Sequence, residues 1–150
     1  MAYNVNRNSL ENQWMPFTDN RGFKANPRLI SQASGVYMDN HMGSKVIDGS
    51  SGLFCCPAGH CHPKIIEAVH EQMKINTYTS PFGTSHQESF KLADRVSELT
   101  PEGLNHVFFV NSGSEAVDTA LKITMAYHSA IGQNRHRFVS RERAYHGVNM

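Results

Sequence analysis

His106-Val107-Phe108-Phe109-Val110-Asn111-Ser112-Gly113-Ser114-Glu115-Ala116-Val117 is the stretch on which the fold turns. Val107 to Val110 is apolar without alternation. That is the pattern of a strand covered on both faces, and such strands usually belong to parallel sheets. The chain then passes through Asn111-Ser112-Gly113-Ser114 directly into helical spacing, with Ala116, Val117, Ala120, Leu121 and Met125 facing inward. Gly132 marks the helix end, and Arg137-Phe138-Val139-Ser140 resumes a short strand. Strand, helix and strand form a βαβ unit, and the predicted class is α/β.

Upstream of this junction the pattern is more varied. Short strands are predicted from Leu29 to Ile47. Gly35-Val36-Tyr37-Met38 and Lys45-Val46-Ile47 flank the turn-rich segment 39–44 as a hairpin. An irregular segment starts at Asp48-Gly49-Ser50-Ser51-Gly52 and runs to His62. Pro63 suits a first helical position, and Ile65, Ile66, Val69 and Met73 follow on one apolar face. Ser85-His86-Gln87-Glu88 has capping-box spacing. The helix behind it carries Phe90, Ala93, Val96 and Leu99 on one side and ends before Pro101. Residues 1–28 are polar and read as a short helix followed by extended chain, with Trp14, Met15 and Phe17 as an apolar anchor.

Composition narrows the function classes. A length of 150 residues suits one domain with a core, and 39% hydrophobic with 18% charged residues is ordinary for a globular protein. The 14 basic and 13 acidic residues leave a net charge of +1, so no electrostatic footprint for nucleic acid is present. No apolar run reaches the roughly 20 residues needed to span a bilayer. The first residues lack the apolar stretch of a signal peptide. The expected location is cytoplasmic. Cys55, Cys56 and Cys61 are odd in number and crowded together, which argues for reduced thiols rather than a disulfide framework.

The Asn111–Ser114 turn carries the chemistry. In an open parallel sheet, ligands bind beyond the carboxyl ends of the strands. A helix N-terminus there presents unpaired N–H groups and a partial positive charge. Gly113 admits an anion close to the backbone, and the hydroxyls of Ser112 and Ser114 add donors. Ser112 and Glu115 also have capping-box spacing, so the turn is a cap, an anion cradle, or both. Neither G-x-x-x-x-G-K-[ST] nor G-x-G-x-x-G occurs, which disfavours an NTPase and a dinucleotide-binding unit. Cys55, Cys56, His60, Cys61 and His62 are potential zinc ligands. They lack C-x-x-C and H-x-x-x-H spacing, and no metal site is expected.

The segment Phe109-Val110-Asn111-Ser112-Gly113-Ser114-Glu115-Ala116-Val117-Asp118-Thr119-Ala120-Leu121-Lys122 resembles the phosphate-binding segment of class III (ω-type) aminotransferases. The likeness runs along nearly the whole chain. It includes Trp14-Met15-Pro16-Phe17-Thr18, Ser51-Gly52-Leu53, Gly59-His60, Leu104 to Phe109 and Tyr145-His146-Gly147-Val148-Asn149, which lean toward the ω-amino acid (β-alanine):pyruvate subgroup. Ornithine- and diaminopelargonate-type members remain open. The resemblance implies the N-terminal part of a fold-type I transferase that uses pyridoxal 5'-phosphate. Residues 1–78 would contribute to the small domain and substrate entrance, and 79–150 would begin the large cofactor-binding domain. It also implies an amino donor and pyruvate as substrates, and a homodimer or higher oligomer.

The roles implied are specific. Gly113 and Ser114 would hold the cofactor phosphate, with Ser112 beside them. Tyr145 would stack on the pyridine ring, with His146 and Gly147 shaping the turn. Phe54 stands where relatives usually place a tryptophan lining the substrate pocket, and Trp14 and Phe82 are further candidates for that pocket. Members of the family use a lysine that forms a Schiff base with the cofactor, downstream of the position matched by Tyr145. None of Lys24, Lys45, Lys64, Lys74, Lys91 and Lys122 matches it. The chain is thus expected to be a portion of a longer product and inactive alone. The alternative is a non-catalytic remnant or dimer-interface module.

Overall fold

The computed structural model describes residues 10–149. Its backbone forms two units, one ending at Tyr78 and the other beginning at Thr79.

In the first unit, helix α1 (Asn20–Ala25) starts at Asp19, whose carboxylate accepts from Gly22 N–H. Three strands follow: β1 (Ile30–Ser34), β2 (Tyr37–Asn40) and β3 (Lys45–Ile47). They form an antiparallel sheet in that order, and β2–β3 is the predicted hairpin. Asn40 closes its loop: the side-chain Oδ1 accepts from Met42 and Ser44 N–H, at 3.0 and 2.8 Å. β1 holds one extra residue between the pairs Ile30–Asn40 and Gln32–Asp39. That residue, Ser31, sends its hydroxyl to the carbonyl of Asp39 at 3.0 Å, the arrangement of a β-bulge.

Beyond the sheet, Ser51–Phe54 forms one turn, α2, and α3 (Pro63–Ile75) begins at Pro63 as its spacing predicts. The apolar anchor expected near residue 14 is not formed: Trp14 and Phe17 lie almost fully exposed. Asn20 holds that segment instead, its amide bonding both the N–H and the carbonyl of Met15.

The second unit holds α4 (Gln87–Ser97) and α5 (Gly113–Ala130). The capping box predicted at Ser85 does not form. His86 occupies the N-cap without a side-chain bond, Ser85 Oγ meets Ser89 Oγ, and Glu88 turns to Lys91. At α5 the prediction is met: Ser112 Oγ accepts from Glu115 N–H at 3.2 Å. Glu115 reaches back to Asn111 N–H at 2.9 Å, one residue before the usual partner. Gly132, with φ +73°, closes the other end. Gln133 N–H bonds the carbonyl of His128 and Gly132 N–H that of Ser129, the paired bonds of a Schellman stop.

The predicted βαβ strands are absent. Neither 106–110 nor 137–140 pairs with another segment among the described residues. A strand exists only by its ladder partner, and among the described residues neither segment has one. The predicted core is missing too: among the described residues no hydrophobic side chain is buried, and Ile65, Ile66, Val69, Met73 and Phe90 are each more than half exposed. Among the helices and strands of the described residues, only β1 with β2 and β2 with β3 come into contact, and α4 does not meet α5. Amphipathic spacing shapes the helices but does not supply the surface that covers them.

The C-terminal stop of α5 can be tested by substitution. No atom crowds Gly132, so its positive φ alone requires glycine. Gly132→Ala is expected to cost about 1 kcal/mol. Amide exchange at positions 132 and 133 would then rise about five-fold; unchanged exchange would contradict the assignment.

Candidate functional site

The second unit gathers its candidate residues around the start of α5. Ser114 is the one buried residue among those described, 7% exposed. Its hydroxyl makes two bonds across the sequence, to the Tyr145 hydroxyl at 2.9 Å and from Val148 N–H at 3.1 Å. The Tyr145 ring lies over Gly113, with Cε1 at 3.4 Å from where a β-carbon would stand. Gly147, with φ +84°, passes so close that a β-carbon there would come within 2.9 Å of Ser114 Cα. Ser112, Gly113, Ser114, Tyr145 and Gly147 are thus brought into one place. His146, between the last two, stands exposed.

The N–H groups at the start of α5 divide into engaged and open donors. Glu115 N–H is taken by Ser112 Oγ and Ala116 N–H by the Ser112 carbonyl. Among the described residues no acceptor faces Gly113 N–H or Ser114 N–H. Two adjacent N–H groups thus stand at the positive end of an 18-residue helix, beside glycine, the kind of place an anion can approach. The Ser112 hydroxyl, already accepting, keeps its own proton to donate. Ser114 contributes through its backbone, because its hydroxyl is engaged with Tyr145 and Val148. Lysines are directed elsewhere: Lys122 pairs with Asp118 and Lys91 with Glu88.

Phe82 belongs to the same unit and borders an open apolar groove of about 610 Å³, with Pro81, His86, Phe90, Val107 and Phe108. In the first unit Trp14 stands free of any wall, and Phe54 is 84% exposed at the end of α2.

Sequence reasoning did not reveal how α2 is built. Ser51, Gly52, Leu53 and Phe54 have φ of 52°, 59°, 56° and 68°, a complete left-handed turn. For its three non-glycine residues this costs roughly 3–6 kcal/mol. Phe54 N–H to the Ser50 carbonyl and Cys56 N–H to the Ser51 carbonyl close the turn. Asp48 holds it from within: its side chain, 4% exposed, accepts from Ser50 N–H and Oγ, from Gly52 N–H at 2.6 Å, and from His60 Nε2 at 2.7 Å. Bonding from His60, helped by Ser50 and Gly52 against the opposing effect of desolvation, lowers the Asp48 pKa from 3.8 to about 2. The spacing Asp48-x-Ser50 is a visible Asx-turn signal. His60, twelve residues on, carries no such signal. His60 is thus committed to Asp48, and among the described residues no group of three or more His, Cys, Asp or Glu is placed to hold a metal ion. The three cysteines are unpaired.

Comparison with known proteins gives this geometry a family. Aminotransferase class-III matches residues 19–150, and the chain belongs to that family. It is 49% identical to an omega-aminotransferase of Caulobacter vibrioides, covering 94% of this chain and 32% of that protein. It is 45% identical to an omega-amino acid–pyruvate aminotransferase of Pseudomonas putida and 43% to a beta-alanine–pyruvate aminotransferase of Pseudomonas aeruginosa, each again covered to 32%. The chain therefore spans about a third of the length of these relatives. A thermostable omega transaminase variant from Pseudomonas jessenii superposes with a TM-score of 0.91 at 30% identity, over 98% of this chain and 33% of that one. The Pseudomonas jessenii enzyme in complex with PMP gives 0.89 at 30% identity, over 95% and 32%. A further thermostable variant, engineered for asymmetric synthesis of enantiopure bulky amines, gives 0.88 at 31% identity, over 95% and 32%. It replaces a tryptophan and a phenylalanine separated along the chain by the same interval as Phe54 and Phe82. The three-stranded sheet and the helices are those of the N-terminal part of such transaminases, the fold-type I class.

Two outcomes are expected. Gly147→Ala forces the 145–148 segment off Ser114, so amide exchange at Val148 rises at least ten-fold; unchanged protection would contradict the contact. The Asp48 carboxyl, followed by carbon NMR, should titrate near pH 2. Because its folded pKa lies below the unfolded value, its stabilising effect is complete above about pH 4 and is lost as pH falls toward 2. A midpoint at the ordinary value near 3.8 would contradict the His60 bond.

Proposed function

We propose that the protein carrying this chain is a pyridoxal-phosphate-dependent aminotransferase that moves an amino group from an ω-amino acid such as β-alanine to pyruvate. The observation that carries this reading is the cradle at Ser112–Ser114: two unclaimed N–H groups at a helix start, closed on one side by Tyr145 and Gly147. The donor set suits a phosphate monoester, which needs several N–H and O–H donors and little room beside the backbone. Gly113 and Ser114 would bind it by their N–H groups and Ser112 by its hydroxyl. Tyr145, held by its bond to Ser114, would set the plane of an aromatic ring beside it. When bound, the cofactor supplies an electron sink that makes the proton on the donor carbon removable. The amino group passes from the donor, left as a carbonyl compound, to the keto carbon of pyruvate, which leaves as alanine. Occupation of a relative by PMP, the amino form of this cofactor, supports the assignment.

Phe54 and Phe82 are proposed as donor-pocket residues, supported by the matching spacing in the variant engineered for bulky amines. A phenylalanine at 54 gives an apolar wall with no N–H. Trp14 is a weaker member of that group, because nothing in its own unit encloses it. The two units are proposed to belong to the small domain with the substrate entrance and to the cofactor-binding domain. The exposed apolar faces of α3 and α4 are surface for the rest of a homodimeric enzyme to cover. A cytoplasmic setting agrees with three unpaired thiols and with the lack, among the described residues, of any helix able to cross a membrane. Identity to the β-alanine and ω-amino acid enzymes favours them over ornithine- and diaminopelargonate-type members.

The test has two parts. The whole protein with β-alanine and pyruvate should form alanine in amounts that depend on added pyridoxal phosphate; no alanine under any cofactor loading would overturn the reading. The chain of 150 residues alone, treated with pyridoxal phosphate and borohydride, should show no stoichiometrically modified lysine. One fully labelled lysine among the six would contradict the site as described.

A further inference from the structure

The strained turn at Ser51–Phe54 has no support from its own side chains. Leu53 and Phe54 are both largely exposed, so packing does not hold their left-handed backbone. Backbone strain of this kind persists only where the surroundings over-determine it, and it gathers where a side chain must be presented in one position. Here the surroundings are few and can be named. Asp48 N–H bonds the carbonyl of Val36, and His60 exchanges two backbone bonds with Gly35, at 2.8 and 2.9 Å. Both residues are therefore pinned to the tight corner between β1 and β2. Gly59, with φ +86°, lets the chain pass Gly35 so closely that a β-carbon would sit 3.2 Å from its Cα. From that corner the two side chains join at 2.7 Å, and the second oxygen of Asp48 grips Ser50. The oxygen facing His60 also takes the Gly52 N–H at 2.6 Å. Gly52 lacks the β-carbon that would come within 3.3 Å of Cys56 Sγ and 3.7 Å of the His60 ring. The path runs from sheet corner to Asp48–His60, then to Gly52, and ends at the Phe54 ring.

We propose that Asp48 and His60 are positioning residues for donor selectivity: by locking the left-handed turn to the β1–β2 corner they fix where the Phe54 ring stands, and so which amines the pocket accepts. This rests on the reading of Phe54 as a pocket residue. Asp48 and His60 touch no reacting atom; they act through Phe54.

The experiment uses the whole protein loaded with pyridoxal phosphate. It compares kcat/KM for a bulky aromatic amine, 1-phenylethylamine, with that for β-alanine. His60→Ala should shift this ratio about ten-fold in the same direction as Phe54→Ala, within the range a pocket change produces. In a Phe54→Ala background, His60→Ala should shift it no further, since both act through one ring. His60→Gln, whose amide N–H can still reach Asp48, should return the ratio to within about two-fold of the parent. An unchanged ratio in His60→Ala, or additive effects in the double variant, would overturn the proposal. If His60→Ala does not fold, Asp48→Asn, of the same shape but uncharged, takes its place with the same expectations. A second readout does not need turnover: hydrogen exchange at the Gly52 amide should be slow in the parent and about ten-fold faster in Asp48→Asn. Equal rates would overturn the clamp even in a protein without transaminase activity, whereas loss of the clamp with no transamination in the parent would count against the aminotransferase reading alone.

Discussion

The Ser114 hydroxyl is the contact on which the candidate site depends. It joins the first turn of α5 to Tyr145 and Val148, 31 and 34 residues further on, and Ser114 is the one residue classed as buried among those described. Because this hydroxyl is engaged, the proposed anion site rests on backbone N–H groups, which cannot rotate away. Glycine at 113 and at 147 permits the close approach. Each of these features is local and inexpensive. Together they leave two adjacent backbone donors at the start of α5 without an acceptor among the described residues.

A second constraint organises the other unit. Asp48, rather than any apolar cluster, connects the sheet corner to the left-handed turn. In each unit a short polar side chain joins separate stretches of backbone, Ser114 to Tyr145 and Val148 and Asp48 to Gly52 and His60. Apolar packing plays a small part within either unit: the faces of α3, α4 and the 106–110 segment are open. The relatives it matches are about three times as long.

What was legible in the sequence follows the range of each interaction. The start of α5 at Ser112 and Glu115, its stop at Gly132, Pro63 at the head of α3 and the β2–β3 hairpin all rest on contacts within a few residues, and all appear in the structure. Ser85 misled because its hydroxyl bonds that of Ser89 rather than a helix N–H. The strands at 106–110 and 137–140 were predicted from apolar content, but a ladder also needs a neighbour, and none is present among the described residues. The left-handed turn was invisible for a different reason. Its cause is a pairing of Asp48 with His60 and of both with Gly35 and Val36, and no periodicity encodes that. At the cradle, sequence indicated a cap or an anion site; the structure adds that the Ser114 hydroxyl is taken and that the N–H groups are the free donors.

In the proposed enzyme the Gly113 and Ser114 N–H groups receive the cofactor phosphate. The most direct measurement is amide NMR of the whole protein, with those two positions assigned, during titration with pyridoxal phosphate and with inorganic phosphate. Both ligands should move the Gly113 and Ser114 amide protons downfield more than any other pair in residues 10–149. Saturable binding of pyridoxal phosphate that leaves these two amides unmoved would contradict it.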